Sequence, residues 1–268
     1  MKKYHDFQGK DVTAVICAYK ECPYLEESIK SLVLQTVKPN ILISTSTPND
    51  YIQNLADKYG IEVRVNHDGG QIKDYNFAMR QCMTPLGMLA HQDDLLDKHY
   101  IESCLEELNK AKKPIIACTN YLEMHNDIVD SKPSVMIRIK RILILPIQNK
   151  WLRGTIFGKR LCMLIGNPIT HPSVMCVMRE MPRKCFREKY KASMDWDLWE
   201  RLSRQRGDFV YVKDVLLYHR MNDDNQTARL LKTTSARYDD EYAIFCRFWP
   251  KPVAKFLMLF YSKSGNYY

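Results

Sequence analysis

Two adjacent carboxylates, Asp93 and Asp94, follow the apolar run Leu86-Gly87-Met88-Leu89-Ala90, with His91 and Gln92 between. A buried strand ending in that pair puts two negative charges at the rim of a sheet. Charge placed there calls for a cation or for hydrogen-bond donors. Hard divalent cations choose carboxylate oxygen, and a phosphorylated ligand is a natural companion for such an ion. The alternative is that Asp93 and Asp94 cap the helix that begins near Lys98. A motif this short does not decide between the two.

The elements that must position this pair are legible in the hydrophobic pattern. Residues 12–18 are a short, β-branched-rich apolar run that reads as a buried strand, broken by Tyr19-Lys20-Glu21-Cys22-Pro23. Over 24–35, Leu25, Ile29, Leu32 and Val33 fall at helical spacing, with Glu26 and Glu27 in the first turn. Lys38-Pro39-Asn40 leads into a strand over 41–45, a helix over 50–59 ended by Gly60, and a third strand over 61–65. After a turn at 66–71 come a helix over 72–82 and the strand that delivers His91 to Asp94. A helix over 100–110 and a strand over 115–118 follow. Strands and helices alternating at this spacing predict a parallel sheet with right-handed crossovers. Ligands bind such sheets beyond the carboxyl ends of the strands, so Tyr19, Ser44 to Thr47 and His91 to Asp94 converge on one crevice. That convergence favours a binding role for the Asp pair.

The chain has 268 residues, 46% of them hydrophobic, which suits one large α/β domain with or without an appendage and excludes a disordered chain. Nine cysteines lie scattered with no Cys-x-x-Cys pair, the pattern of reduced, core-filling thiols and not of a zinc site. The N-terminus lacks the apolar segment of a signal peptide, and the apolar run 142–147 is too short to cross a bilayer. The net charge of +9 is regional. No Asp or Glu occurs from Ser131 through Arg179 or from Tyr242 onward, and these two stretches hold thirteen Lys and Arg, leaving the remainder of the chain net negative. The bases alternate with Ile, Leu, Trp and Phe, a mixture that suits an anionic membrane surface, the alternative being a tail packed on the domain with the bases as a solvated face. No nucleic-acid motif accompanies them, so nucleic acid is not an expected partner.

Four separated stretches, in order, resemble family 2 glycosyltransferases of the GT-A fold. They are Ala18-Tyr19-Lys20-Glu21 with Leu25-Glu26-Glu27-Ser28-Ile29-Lys30-Ser31-Leu32 and Gln35-Thr36; Asn66-His67-Asp68-Gly69-Gly70 with Asn76; Gln92-Asp93-Asp94; and Asp195-Trp196-Asp197-Leu198-Trp199-Glu200-Arg201-Leu202. Together they span about residues 10 to 220.

The resemblance implies an α/β, Rossmann-like, mostly parallel central sheet flanked by helices, over residues 1–225. A basic, partly helical insertion (131–165) and a helical basic-aromatic tail (226–268) are added to it. It implies an inverting transferase that takes a sugar from a nucleotide-diphosphate donor, with UDP expected first and dTDP or GDP open. The acceptor is a hydroxyl of a glycan or lipid-linked glycan. Donor contacts carry over to Ala18, Tyr19, Glu21, Ser46, Gln71, Lys73, His91, Gln92 and Asp93. Asp93 becomes the ligand of Mn2+ or Mg2+, joined by Asp94 (or Asp94 caps the next helix) and by His219. Asp195 becomes the general base, or the N-cap of a helix over 196–205, and Asp197 faces solvent. The chain departs from the family's usual text at four places. His91 replaces the first Asp of Asp-x-Asp, Ser44-Thr45-Ser46-Thr47 replaces the Asp pair that reads uracil, Tyr75 replaces an Arg, and Met194 replaces a Glu. Those departures leave a second expectation, a catalytically silent GT-A partner subunit or binding module at the membrane. The expected location is cytoplasmic, peripheral on the inner face of the cell membrane.

Overall fold

In a computed structural model, residues 2–221 and 236–264 are described. Strands and helices alternate as far as β4: β1 Val12–Ala18, α1 Leu25–Val33, β2 Asn40–Thr45, α2 Asp50–Tyr59, β3 Glu62–Val65, α3 Gln71–Gln81 and β4 Leu86–His91, after which β5 Leu95–Leu96 follows directly and precedes α4 Tyr100–Lys110. Then come β6 Pro114–His125, β7 Ile128–Val129, α5 Val135–Leu143, α6 Leu145–Gln148, α7 Ile156–Leu161, β8 Val174–Val177, α8 Met194–Ser203 and β9 Asp208–Arg220. The tail forms α9 Ala236–Phe245 and α10 Lys251–Ser264. The expected boundary at 225/226 lies outside the described residues.

The strands form one sheet in the order β3-β2-β1-β4-β8-β6-β9-β5, with β7 on β6. Its β3-β2-β1-β4 half is parallel, as the short alternation predicts, and β8 runs antiparallel between β4 and β6. Cys17 pairs with His91 and Ala18 with Thr45, so the ends of β1, β2 and β4 lie side by side. The two-residue β5 pairs Leu95 with Tyr218, which brings the far end of β9 back beside Asp94. Gly87 lets β4 run close to its neighbours. A Cβ there would lie 2.7 Å from both Cys82 Cβ and Met178 Sδ.

Side chains alternate across β1. Val12, Ala14, Ile16 and Ala18 join one core with α1, α2 and α4. Val15 joins the other, built from α3, α8, the insertion and the tail. All nine cysteines are free and seven are buried, as expected of core-filling thiols. The insertion is not one long helix. Its capping groups Ser134 and Thr155 start α5 and α7 separately.

The expected solvent face of α8 is instead a buried ion-pair hub. Asp197 is fully buried and meets Arg187, Arg201 (3.1 Å) and Arg247 (2.7 Å). Glu200, one turn on, meets Arg160, Arg204 and Arg247. Lys159 is also buried and donates to the carbonyls of Gln205 and Gly207. Several bases that composition alone assigns to an anionic partner therefore have internal partners. Replacing Asp197 with Ala leaves three guanidinium groups without their shared carboxylate and should cost about 3–5 kcal/mol in urea unfolding at neutral pH.

Candidate active site

The pair Asp93-Asp94 turns the chain between β4 and β5. Neither residue caps the next helix. The residue before α4 is His99, whose N–H is accepted by Asp97. Asp94 is only 3% exposed, and its Oδ1 accepts from His219 Nδ1 at 2.8 Å and from the Arg220 N–H at 3.0 Å. Arg220, itself buried, donates to the Asp93 carbonyl and to Glu27, with its guanidinium 3.9 Å from the Tyr24 ring centre. This strap fixes the turn. Asp94 Oδ2 is buried and has no hydrogen-bond partner. It faces His91 Nδ1 at 3.5 Å.

His91, Asp93 and Asp94 bring ligand atoms within 4.8 Å of one another, a set that could hold a metal ion. The orphaned Asp94 Oδ2 fits that use, because a bound cation would satisfy the oxygen. His219 Nδ1 is occupied by Asp94 Oδ1, so in this geometry it supports the cluster from behind. Burial is the largest effect on both carboxylates. It raises the Asp93 pKa, with Asp94 adding to the rise. On Asp94 it is outweighed by His219, His91 and the Arg220 N–H, which hold that carboxyl below its usual value. Burial also opposes the charged form of His219, but Asp94 and Asp93 push its pKa up.

His171 was not singled out by the sequence. It precedes β8, and its Nδ1 lies 3.2 Å from His91 Nε2. Tyr75 stacks on His91, and Tyr75, Phe186 and Trp199 surround the His171 ring. Burial and then His91 push the His171 pKa down to about 3, so this ring is neutral near pH 7. Tyr75, in place of the expected Arg, is therefore part of the wall behind His91.

The loops beyond the strands are tied together. The Tyr19 N–H donates to Gln92 Oε1 at 2.8 Å, Gln92 Nε2 returns a bond to the Tyr19 carbonyl, and the Lys20 N–H donates to Thr47. The Tyr19 ring is exposed, as are Glu21 and Lys73, while Ala18 is buried at the end of β1. Ser46 donates to Asp74 Oδ2 at 2.8 Å and Asn66 to Asp74 Oδ1 at 2.7 Å. A carboxylate thus stands beside the end of β2 after all, supplied by the first turn of α3 next to Gln71. No sequence signal marked it, because the residue is remote from β2 along the chain.

Asp195 lies within α8, and the N-cap is Ser193. Its Oδ1 accepts from the Trp196 N–H and its Oδ2 from Asn167 at 2.9 Å. Burial raises its pKa, countered in part by the Trp196 N–H, Lys140 and Asn167. Lys140 lies 3.1 Å from the Tyr121 hydroxyl, and its charge acts on both Asp195 and His219. Tyr121 packs edge-on against His219. The Lys140 charge thus bears on both Asp195 and the His219 that holds Asp94. Beside them is a shallow cleft lined by Asn120, Tyr121, Lys140, Arg141 and Tyr211. Met194 is buried in the core.

Similarity to known proteins places this geometry. S. aureus TarS, solved with UDP-GlcNAc, superposes with a TM-score of 0.62 at 12% identity, covering 92% of this chain and 70% of that one. Glucosyl-3-phosphoglycerate synthase from Mycobacterium tuberculosis, solved with Mn2+, UDP and phosphoglyceric acid, superposes at 0.52 with 10% identity, covering 82% and 75%. The same synthase with Mg2+ and UDP gives 0.51 at 12% identity, covering 82% and 76%. No curated protein sequence matches the chain. The profile of glycosyl transferase family 2 matches residues 13–186, well over half of the chain. With the curled α/β sheet and a carboxylate cluster at its rim, this match means that the chain belongs to glycosyl transferase family 2 and is a glycosyltransferase that uses a nucleotide-sugar.

Proposed function

We propose that the chain is an inverting transferase that moves a sugar from a UDP-sugar to a hydroxyl of a glycan or lipid-linked glycan, met at the cytoplasmic face of an anionic membrane. The carrying observation is the His91, Asp93 and Asp94 cluster with its orphaned Asp94 Oδ2. Similar solved structures hold UDP with Mn2+ or Mg2+. Asp93 and Asp94, with His91, would hold such an ion here. The ion would neutralise the donor diphosphate. His219 acts through Asp94, and with an ion in place His171 would accept from His91 Nε2–H and leave the His91 Nδ1 lone pair free to serve as a ligand.

Tyr19 covers the nucleobase, and Asp74 accepts from its N–H in place of a strand-end acid. Ala18, Glu21, Ser46, Gln71, Lys73 and Gln92 complete the donor crevice. Asp195 takes the proton of the acceptor hydroxyl as that oxygen attacks the anomeric carbon. The carbon–oxygen bond to the diphosphate breaks on the opposite face, the diphosphate leaves with the electron pair, and configuration inverts. Nothing in the site favours a silent subunit over an enzyme: His91 sits within reach of a ligand position and Met194 is a core residue.

Asp195→Asn should lower transfer about 10²–10⁴-fold while UDP binding by calorimetry is retained. Transfer at native rate would remove Asp195 from this role. Because burial raises its pKa, Asp195 ionises only above the ordinary carboxylate value of 3.8, and transfer should fail on acidification above that pH. His171→Ala should weaken Mn2+ binding in the presence of UDP about 10–100-fold. Asp74→Asn should weaken UDP binding while leaving the melting temperature near native, and unchanged affinity would discard Asp74 as the base reader.

A further inference from the structure

We propose that the exposed apolar side of α5, carried on through the rest of the insertion, and that of α10 dock on an anionic lipid bilayer, a proposal that rests on the membrane-bound acceptor suggested above and identifies the residues that meet it. The two acid-free stretches are separate in sequence but joined in the fold. Ile144, Ile147, Cys162 and Met163 of the insertion share a core cluster with Ile244, Phe245, Ala254 and Met258 of the tail. Trp249 Nε1 donates to the Leu164 carbonyl at 2.8 Å, and the Arg160 guanidinium lies 4.3 Å from the Phe248 ring centre.

Each helix has an apolar side turned inward and a second apolar side turned out. On α5, Ile137 is buried, while Val135, Ile139 and Ile142 fall at i, i+4 and i+7 and form an exposed stripe, with Val135 at 72% and Ile142 at 64%. Leu145, Trp151 (88% exposed) and Phe157 carry apolar exposure past α5. On α10, Ala254 and Met258 are buried, while Val253, Phe256 and Leu259 face out. Monomeric soluble proteins rarely leave large contiguous apolar patches exposed. Within the two stretches the charge has one sign. Lys132, Arg138, Lys251 and Lys255 are exposed, and no Asp or Glu occurs in residues 131–179 or after residue 241. Apolar side chains interspersed with cations along these stretches complement an anionic interface.

The same helix connects this surface to the chemistry. The inner side of α5 carries Lys140, beside Tyr121 and acting on Asp195, and Arg141, which donates to Asn120 at 3.0 Å. Both line the cleft that also holds Pro168, the residue after Asn167, which donates to Asp195. A chain seated on lipid through the outer side of α5 presents that cleft close to the headgroups, where a lipid-linked glycan displays its first sugars.

Vesicle flotation tests the surface with the whole chain. Phosphatidylcholine vesicles containing phosphatidylglycerol should carry the protein up the gradient, pure phosphatidylcholine should not, and high salt should release it. Arg138→Ala and Lys255→Ala should each lower affinity about fivefold. Ile139→Asp combined with Ile142→Asp, and independently Trp151→Glu, should lower it tenfold or more with UDP binding unchanged. Absence of flotation with anionic vesicles, equal flotation with neutral ones, or native flotation by both apolar-site variants overturns the proposal. So does a native oligomer that these variants dissociate without any vesicle binding, which would make the face an interface between copies. Flotation intact without UDP-sugar turnover would instead defeat the transferase assignment alone.

Discussion

The site depends on keeping one negative charge, that of Asp94, almost entirely out of water. A buried carboxylate is costly unless each oxygen is met. One oxygen is met by His219 and the Arg220 N–H. These donors are in reach only because the two-residue β5 pairs with the end of β9. Arg220 then spreads the arrangement outward, to Glu27 on α1, to the Asp93 carbonyl and to the Tyr24 ring. The other oxygen is left facing His91. His171, Tyr75 and Phe186 in turn hold the His91 ring in place. The orphaned oxygen thus lies among side chains tied by hydrogen bonds and ring contacts, where His91, Asp93 and Asp94 offer ligand atoms within 4.8 Å of one another.

Helix α8 couples that wall to the rest of the molecule. It carries Asp195 at its start, aimed at Asn167 and under the influence of Lys140, and Trp199 against His171. Its other side holds Asp197 and Glu200, which gather arginines from the insertion (Arg160), from the loop before α8 (Arg187) and from the tail (Arg247). The hub therefore clamps both acid-free stretches to the helix that bears the proposed base. Basic residues in those stretches divide into two sets with different physical roles. Arg160, Lys159 and Arg247 neutralise or cap buried groups, whereas Lys132, Arg138, Lys251 and Lys255 remain at the surface.

The parallel half of the sheet was legible in the sequence because period-2 and period-3.6 patterns, a Pro-Asn turn and a helix-ending Gly are local signals. The convergence of Tyr19, Ser46 and Asp93 followed from them, since the carboxyl ends of parallel strands share one edge. The motifs also placed the chain in its family. By itself, then, the sequence determined the family, the strand-end location of the acids and the regional charge. Tertiary structure alone decided which groups those acids meet. His171 and Asp74 reach the site from elements with no motif of their own, Asp197 is buried where Arg187 and Arg247 join Arg201 of its own helix, and the two acid-free stretches pack on one another only in the fold. The physical reason is the same in each case. Burial and ion pairing depend on which elements lie against one another, and contacts spanning tens to more than a hundred residues leave no periodic trace along the chain.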